Sequence, residues 1–291
     1  MSERLPIAKT YKLFIGGAFP RSESGRSLPL VDGAGRVIAH TCRASRKDLR
    51  DAVVAARKAQ PGWAGATAYL RGQILYRMAE MLEGKRAEFS ALLAEGAAAD
   101  PGSAIEPERE VTAAIDRLVA FAGWADKFQQ VLGCQNAVAA PYWNITVPEP
   151  VGVVGVVCPR EHALLALVSM LAPAVCAGNA VVVISPANAP VVSTFGEVCA
   201  TSDLPGGVIN LLTGSHEELI PFLATHRDVE AICAAGVSPE HARVLQLGAA
   251  DNLKRVRVKE TVDWLDSAAC ASPRWIEPVV EFKTVWHPVG A

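Results

Sequence analysis

The sequence has little that would mark a nucleic-acid-binding protein or a disulfide-stapled secreted one. Its 28 Lys and Arg are matched by 30 Asp and Glu, and no run of basic residues offers a patch for nucleic acid. The seven cysteines are widely spaced without a Cys-x-x-Cys pair, and an odd number cannot all close into intrachain disulfides. Residues 1–10 lack the apolar core of a signal peptide. We therefore expect reduced thiols, a cytoplasmic location and no nucleic-acid partner.

An uninterrupted apolar run of membrane-spanning length is also lacking. Residues 163–184 are strongly apolar, and a spanning helix needs about 20 such residues. Pro173, Gly178 and Asn179 divide this stretch into a helix followed by a Val-rich strand, which is typical of elements buried in an α/β core. The sequence therefore predicts no membrane span.

The first third of the chain contains mostly helical periodicity. Residues 11–19 alternate and then turn on a Gly pair, as a hairpin strand would. Ser45 stands where an N-cap is expected before an amphipathic helix. Further helices are predicted over 68–82 and about 107–129, where apolar residues recur along one face.

After Tyr142 the pattern becomes an alternation of strands and helices. Strands are predicted at 151–157, 180–184, 207–211, 229–233 and 253–258, with helices near 161–177, 190–201, 215–224 and 239–248. Short connections that each carry a helix indicate parallel strands joined by right-handed crossovers. The fold class predicted is α/β, a Rossmann-like doubly wound parallel sheet with N-terminal helices. Past Glu260 the alternation lapses before a last strand over 279–286.

Several stretches are similar to the motifs of one enzyme family. The most specific are Leu171-Ala172-Pro173-Ala174 with Ala177-Gly178-Asn179-Ala180, and Leu204-Pro205-Gly206-Gly207 with Thr213-Gly214. Residues 11–19, 110–127 and 148–155 resemble that family's opening hairpin, interdomain helix and approach to the first Rossmann strand. The chain is identified as a member of the aldehyde dehydrogenase superfamily over about residues 11–258 and again at 281–286.

The resemblance implies a division of the chain. Residues 1–141 correspond to the hairpin and helices that pack on the nucleotide domain, and 142–258 to the Rossmann-like nucleotide-binding-type domain. Residues 259–278 form a linker where family members carry the thiol-bearing catalytic domain, and 279–291 correspond to the oligomerisation strand. The strands 11–19, 142–147 and 279–286 are expected to form a small β flap that pairs with a neighbouring subunit.

The catalytic positions implied by the resemblance are vacant, so no catalytic residue is assigned. Cys270 is the nearest substitute for the nucleophile, and without a flanking basic residue to lower its pKa it is interpreted as an inert linker thiol rather than a catalytic one. The family's oxyanion-binding Asn corresponds to Pro159-Arg160-Glu161, where a carboxylate cannot donate as an amide does. The water-activating Glu corresponds to Lys259, with Glu260 one place on and pointing to the opposite face.

The cofactor positions implied by the resemblance are degenerate. The family's Lys-Pro-x-Glu pair for the adenosine ribose corresponds to Ser185 and Asn188, which keep hydrogen-bonding capacity without charge. The family's Gly-Ser turn before the pyrophosphate helix corresponds to the turn at Gly236. NAD(P) is therefore expected to bind weakly or not at all, although a helix N-terminus alone still favours phosphate.

Other residues have structural interpretations. Cys158, Glu161 and His162 lie at one strand-to-helix turn without the converging spacing of a metal or nucleophile site, so no metal site is predicted. His216, beside two glutamates, is expected to begin a solvated helix. The helical spacing of Leu75, Met78 and Leu82 is interpreted as core rather than as a binding groove.

Two functions from different classes follow from these residues. The first is a non-catalytic pseudoenzyme, a structural or regulatory subunit that assembles with a full-length aldehyde dehydrogenase or, failing that, with copies of itself. The alternative is an NAD(P)-binding oxidoreductase of the same family with residual activity on aldehydes.

Overall fold

The computed structural model describes residues 7–31, 35–99, 105–186 and 188–289. The first part holds a small three-stranded sheet and a group of helices. These elements are β1 (Lys9–Tyr11), β2 (Ser27–Val31), β3 (Val37–Cys42), α1 (Arg46–Ala64), α2 (Ala68–Gly84), α3 (Arg86–Ala99), α4 (Pro107–Trp124) and α5 (Phe128–Leu132). Ser45 caps α1 as predicted, because its hydroxyl accepts from Asp48 N while Asp48 accepts from Ser45 N. Helix α3 was not predicted, although its side chains Phe89, Leu92 and Leu93 are buried and recur at helical spacing.

A five-stranded parallel sheet forms the centre of the molecule. Its order is β10 (Arg255–Lys259), β9 (Ala231–Ala235), β6 (Val153–Val157), β7 (Ala180–Ser185) and β8 (Ile209–Thr213). The crossover helices are α6 (Leu165–Cys176), α7 (Ala189–Ala200), α8 (His216–Thr225) and α9 (Pro239–Ala250). Every predicted strand and helix of this part is confirmed, with ends shifted by a few residues.

The two faces of the parallel sheet bury two separate cores. Alternation along β6 turns Val154 and Val156 towards a core formed with α2, α4, α6 and α7. Val153 and Val157 face the opposite core, which α1 and α8 cover. Leu75, Met78 and Leu82 of α2 lie in the first core, as predicted. Helices on both faces confirm the doubly wound architecture.

A second three-stranded sheet extends from the body of the protein. It consists of β4 (Cys134–Asn136), β5 (Tyr142–Pro150) and β11 (Val280–Pro288), in the order β11-β5-β4. We call this sheet the flap. Strand β11 pairs antiparallel with β5 from Val280 opposite Pro150 to Pro288 opposite Tyr142.

The prediction that residues 11–19 belong to the flap is wrong. Phe14 pairs with Leu211 at the outer edge of the parallel sheet, and Ile15 and Ala18 close a turn over Gly16 and Gly17. Leu13 and Phe14 are both buried, one in each core. A segment whose two faces are both buried is more stable at the edge of the main sheet than in the flap. The third strand of the flap is β4 instead. The predictions that residues 142–147 and 279–286 belong to the flap are confirmed, and β5 continues to Pro150.

Residues 260–279, which we call the connector, contain short helical turns and pack against the body. They hold α10 (Ser267–Cys270) and two 3-10 turns, Pro273–Trp275 and Glu277–Val279. Four connector side chains lie in the first core: Trp264, Cys270, Ile276 and Val279. Arg117 of α4 donates to Trp264 O at 3.0 Å, and the indole of Trp124 donates to Ala271 O at 2.8 Å. The connector therefore completes the core rather than merely joining two elements.

Candidate functional site

The strand order places a candidate ligand crevice between β6 and β9. From β6 the chain runs through β7 and β8 to one side of the sheet, then crosses to β9 and β10 on the other. Open parallel sheets bind ligands beyond the carboxyl ends of the strands at such a switch point. The turns that begin at Cys158 and at Gly236 meet there.

Gly236 lies at this switch point, but its neighbours are protein atoms. Its φ of +59° favours glycine, and a Cβ built on it would lie 2.7 Å from Pro159 Cβ and 3.3 Å from Glu161 Oε1. Pro159 and Glu161, which stand where the family has its oxyanion-binding turn, thus pack directly on Gly236. The space that a side chain at position 236 would fill is therefore occupied by the turn that follows β6, and is not left for a ligand.

Ser185 and Asn188 lie on the other side of β6, at the carboxyl end of β7. Ser185 is 2% exposed, and its carbonyl accepts from Gly214 N at 3.2 Å. Asn188 caps α7 in the left-handed conformation, with its Oδ1 accepting from Val191 N at 3.4 Å. Its Nδ2 donates to Leu92 O of α3 at 3.2 Å. One strand, β6, therefore separates these two residues from Gly236. The oxygen of the Asn188 amide contacts α7 and its nitrogen contacts α3.

The N-terminus of α9 faces the same crevice and could attract phosphate in principle. Ser238 caps it, with the hydroxyl accepting from His241 N at 3.2 Å and lying 3.1 Å from His241 Nδ1. Glu240 already places a negative charge in the first helical turn. This helix end therefore lacks the uncompensated positive field that binds anions best.

His216 begins α8 as predicted, but it lies buried in the crevice, so the expectation that it is solvated is wrong. Only 7% of the residue is exposed, and its ring lies 6.0 Å from that of His241. Burial lowers the pKa of His216 to about 4, and the charges of His241 and Arg160 act in the same direction. The imidazole is therefore neutral near pH 7. Sequence periodicity gave no sign of this, because the groups that act on His216 come from the turn after β6 and from α9.

The lowered pKa of His216 gives a testable pH dependence. The folded protein resists protonation at His216, whereas the unfolded chain takes up a proton below its ordinary pKa of about 6.5. The stability that this histidine contributes is therefore complete above about pH 6.5 and is lost as the pH falls towards 4. Between pH 7 and pH 5 we expect the wild type to lose about 2 kcal/mol more than His216→Gln. Urea unfolding at both pH values measures this difference, and parallel pH profiles would contradict it.

Cys270 and Lys259, the nearest counterparts of the family's nucleophile and water-activating base, are unreactive in these roles. Cys270 is 1% exposed, its Sγ donates to Asp263 O at 3.4 Å, and burial raises its pKa despite the nearby Arg117. Lys259 ends β10 with its ammonium 4.5 Å from the Trp275 ring centre. A buried thiol and a cation therefore stand where thiolate and carboxylate chemistry would be needed.

The described residues offer neither a metal site nor a membrane-spanning helix. These residues hold no cluster of three or more His, Cys, Asp or Glu arranged to bind a metal ion. None of the described helices combines the length and apolar character needed to cross a bilayer. Residues 163–184 instead form α6 and β7 inside the core.

Comparisons with known proteins agree with the fold. A family model described as "Aldehyde dehydrogenase family" matches residues 20–260. The chain is 31% identical over 261 residues to the mitochondrial benzaldehyde dehydrogenase of Antirrhinum majus, covering 87% of this chain and 48% of that protein. It is 32% identical over 263 residues to the cytosolic 10-formyltetrahydrofolate dehydrogenase of Mus musculus, covering 88% of this chain and 29% of that protein.

Solved structures give the same result. An aldehyde dehydrogenase from Bacillus cereus in complex with NAD⁺ superposes with a TM-score of 0.75 at 25% identity, covering 86% of this chain and 50% of that one. A putative aldehyde dehydrogenase from Burkholderia cenocepacia gives 0.76 at 29% identity, covering 85% and 51%. The chain thus spans about half, or less, of the relatives that it matches. On its sequence and its fold, the chain belongs to the aldehyde dehydrogenase family.

Proposed function

We propose that this protein is a non-catalytic member of the family, a structural or regulatory subunit that assembles through its flap. The observation that carries the proposal is the open edge of β11. Nine residues of this strand pair with β5 on one side, and in the described part of the chain no strand pairs with the other side. An open edge of this length is a template for a strand from another chain.

The composition of the flap supports an interface. Phe282 and Trp286 on one face are 45% and 58% exposed, and Ile145 and Val285 on the other are 40% and 54% exposed. Val285 lies directly opposite Ile145 in the strand register, so this apolar surface crosses both strands. Exposed apolar patches next to an open edge are typical of protein–protein contacts.

The site geometry supports the absence of catalysis. The thiol of Cys270 is buried, Lys259 is a cation at the position compared with the water-activating Glu, and Glu161 packs on Gly236. The amide of Asn188 is engaged by α3 and α7. We infer that NAD(P) binds weakly or not at all, since Ser185, Asn188 and Gly236 offer a nucleotide no charged contact.

The partner that we propose is a full-length aldehyde dehydrogenase, giving a hetero-oligomer. The chain spans about half of such a protein, so a full-length relative has surfaces beyond those that another copy of this chain would bring. Those surfaces could cover both the edge and the apolar faces of the flap. Self-association through the same strands is the competing outcome.

Assembly is tested by substitutions on β11. Val285→Lys with Trp286→Lys places a charge on each face of the flap, and both side chains are more than half exposed, so folding should persist. We expect at least a tenfold loss of affinity for the partner, because two cations would have to be desolvated in the interface. Mass and stoichiometry of the native complex, by light scattering and mass spectrometry, measure the effect.

The control carries the same charge change elsewhere. Val54→Lys with Leu247→Lys alters residues that are 59% and 60% exposed on α1 and α9. This variant should stay in the complex. Truncation before Val279 is a poorer test, because Val279 and Val280 are buried and Val279 O accepts from Asn179. A β11 variant that keeps the wild-type stoichiometry would show that assembly does not use this strand.

A further inference from the structure

A cavity lies between the connector and the carboxyl ends of β9 and β10. Its volume is about 420 Å³, which is in the usual range of small-molecule sites. Cys233 of β9, Arg257 and Lys259 of β10, Met170 of α6, and Arg274 and Trp275 of the connector contribute to its walls. We call this cavity the basic pocket.

The charges around the basic pocket all have one sign. Arg257, Lys259 and Arg274 line it, and no Asp or Glu does. Between residues that the structure describes, none of the three forms an ion pair. Asp266, an acid of the connector, instead accepts from Ala269 N at 3.0 Å and caps α10. Cations that share a cavity repel one another, so an anion bound between them would lower the energy of the folded chain.

Strand geometry holds two of the cations together. Arg257 and Lys259 are two residues apart on β10, so their side chains lie on the same face of the sheet. Arg257 lies opposite Cys233 in the register, and both cations act on that thiol. Arg274 approaches from the connector. The pocket thus presents cations from two separate elements to a ligand.

The remaining walls are apolar. The Trp275 indole N–H donates to Ala269 O at 3.1 Å, and its ring lies 5.8 Å from that of Trp264. These contacts hold the ring against the pocket, alongside Met170 and Pro278. A ligand that fits has one anionic end for the guanidinium groups and an apolar body for these side chains.

We propose that the basic pocket binds a small organic carboxylate with an aromatic or other apolar body. The carboxylate is placed between Arg257 and Arg274, whose planar guanidinium groups match its two oxygens, with Lys259 adding charge. The body of the ligand lies against Trp275 and Met170. This site is independent of the flap, so it stands or falls separately from the assembly proposed above.

Calorimetric titration of the whole chain tests the proposal, with benzoate, neutral benzamide and inorganic phosphate as probes. Benzoate should bind, benzamide should bind at least about tenfold more weakly, and phosphate should also be weaker because it leaves the apolar walls uncovered. Arg257→Gln with Arg274→Gln should weaken benzoate by at least about tenfold. Both side chains belong to exposed residues, so this variant should fold.

The matched control is Arg227→Gln with Arg243→Gln, which removes two charges from exposed residues outside the pocket. It should leave benzoate affinity unchanged. Equal binding of benzamide, equal loss in the control variant, or no benzoate binding would overturn the proposal. Phosphate binding as tight as benzoate would overturn the assignment to an organic carboxylate.

Discussion

The purified chain is expected to give no NADH or NADPH when supplied with NAD or NADP and simple aldehydes. Aldehyde oxidation by this family's chemistry needs a thiolate, oxyanion donors and a base for water. Cys270 is buried with a raised pKa, and Lys259 is a cation. Losing one oxyanion donor costs about 10²–10³ in rate, and losing a general base costs about 10²–10⁴. Together these losses place turnover below detection.

Formation of NADH is measured by following the absorbance at about 340 nm over a time on the order of hours, at high protein concentration. A full-length aldehyde dehydrogenase is the positive control. The variant Cys270→Ala distinguishes the ways in which the expectation could fail. Turnover that survives this substitution would reveal another nucleophile, and turnover that it abolishes would make the connector thiol catalytic. Either result would refute the non-catalytic function and favour the residual oxidoreductase.

Trp264→Ala is expected to lower the free energy of unfolding by about 3–5 kcal/mol, the usual cost of truncating a buried aromatic side chain. Trp264 is 3% exposed and lies in the core together with α4 and α6. Its removal leaves a cavity beside Trp275, while the backbone carbonyl of residue 264 that accepts from Arg117 is retained. Urea unfolding, followed by circular dichroism, measures the loss.

Trp286→Ala is the control for this substitution. Trp286 is 58% exposed on the flap, and surface substitutions usually change stability by no more than about 0.5 kcal/mol. If the two alanine variants were equally stable, the connector would be a loose tether and the core would be complete without it. A large difference would show that the 20 residues of the connector, 260–279, are part of the folding unit.

The function of one family motif became clear only in the structure. Asn179, in the Ala-Gly-Asn motif that helped to identify the family, is fully buried. Its Oδ1 accepts from Gly152 N at 2.9 Å, and its Nδ2 donates to Ala174 O at 3.1 Å and to Val279 O at 2.9 Å. One side chain thus joins the start of β6, the end of α6 and the base of β11. The motif was recognised from the sequence, but its partners are too distant along the chain to be inferred from it.

The sequence by itself determined the elements of the parallel sheet and their faces. Side-chain periodicity and capping are local properties, so Ser45 marked the start of α1, and the alternation after Tyr142 indicated parallel strands with crossover helices. The family motifs determined the superfamily, and the replaced residues at 185, 188 and 259 were visible without coordinates.

Only the tertiary structure decided which of these faces meet. His216 lies beside groups from the turn after β6 and from α9, and Asn188 donates to α3, a helix that was not predicted from the sequence. Residues 11–19 extend the main sheet because both of their faces find a core. Arg257 and Arg274 are 17 positions apart along the chain and share a cavity because the connector folds back over β10. Such contacts depend on the packing of distant elements, and local periodicity carries no information about them.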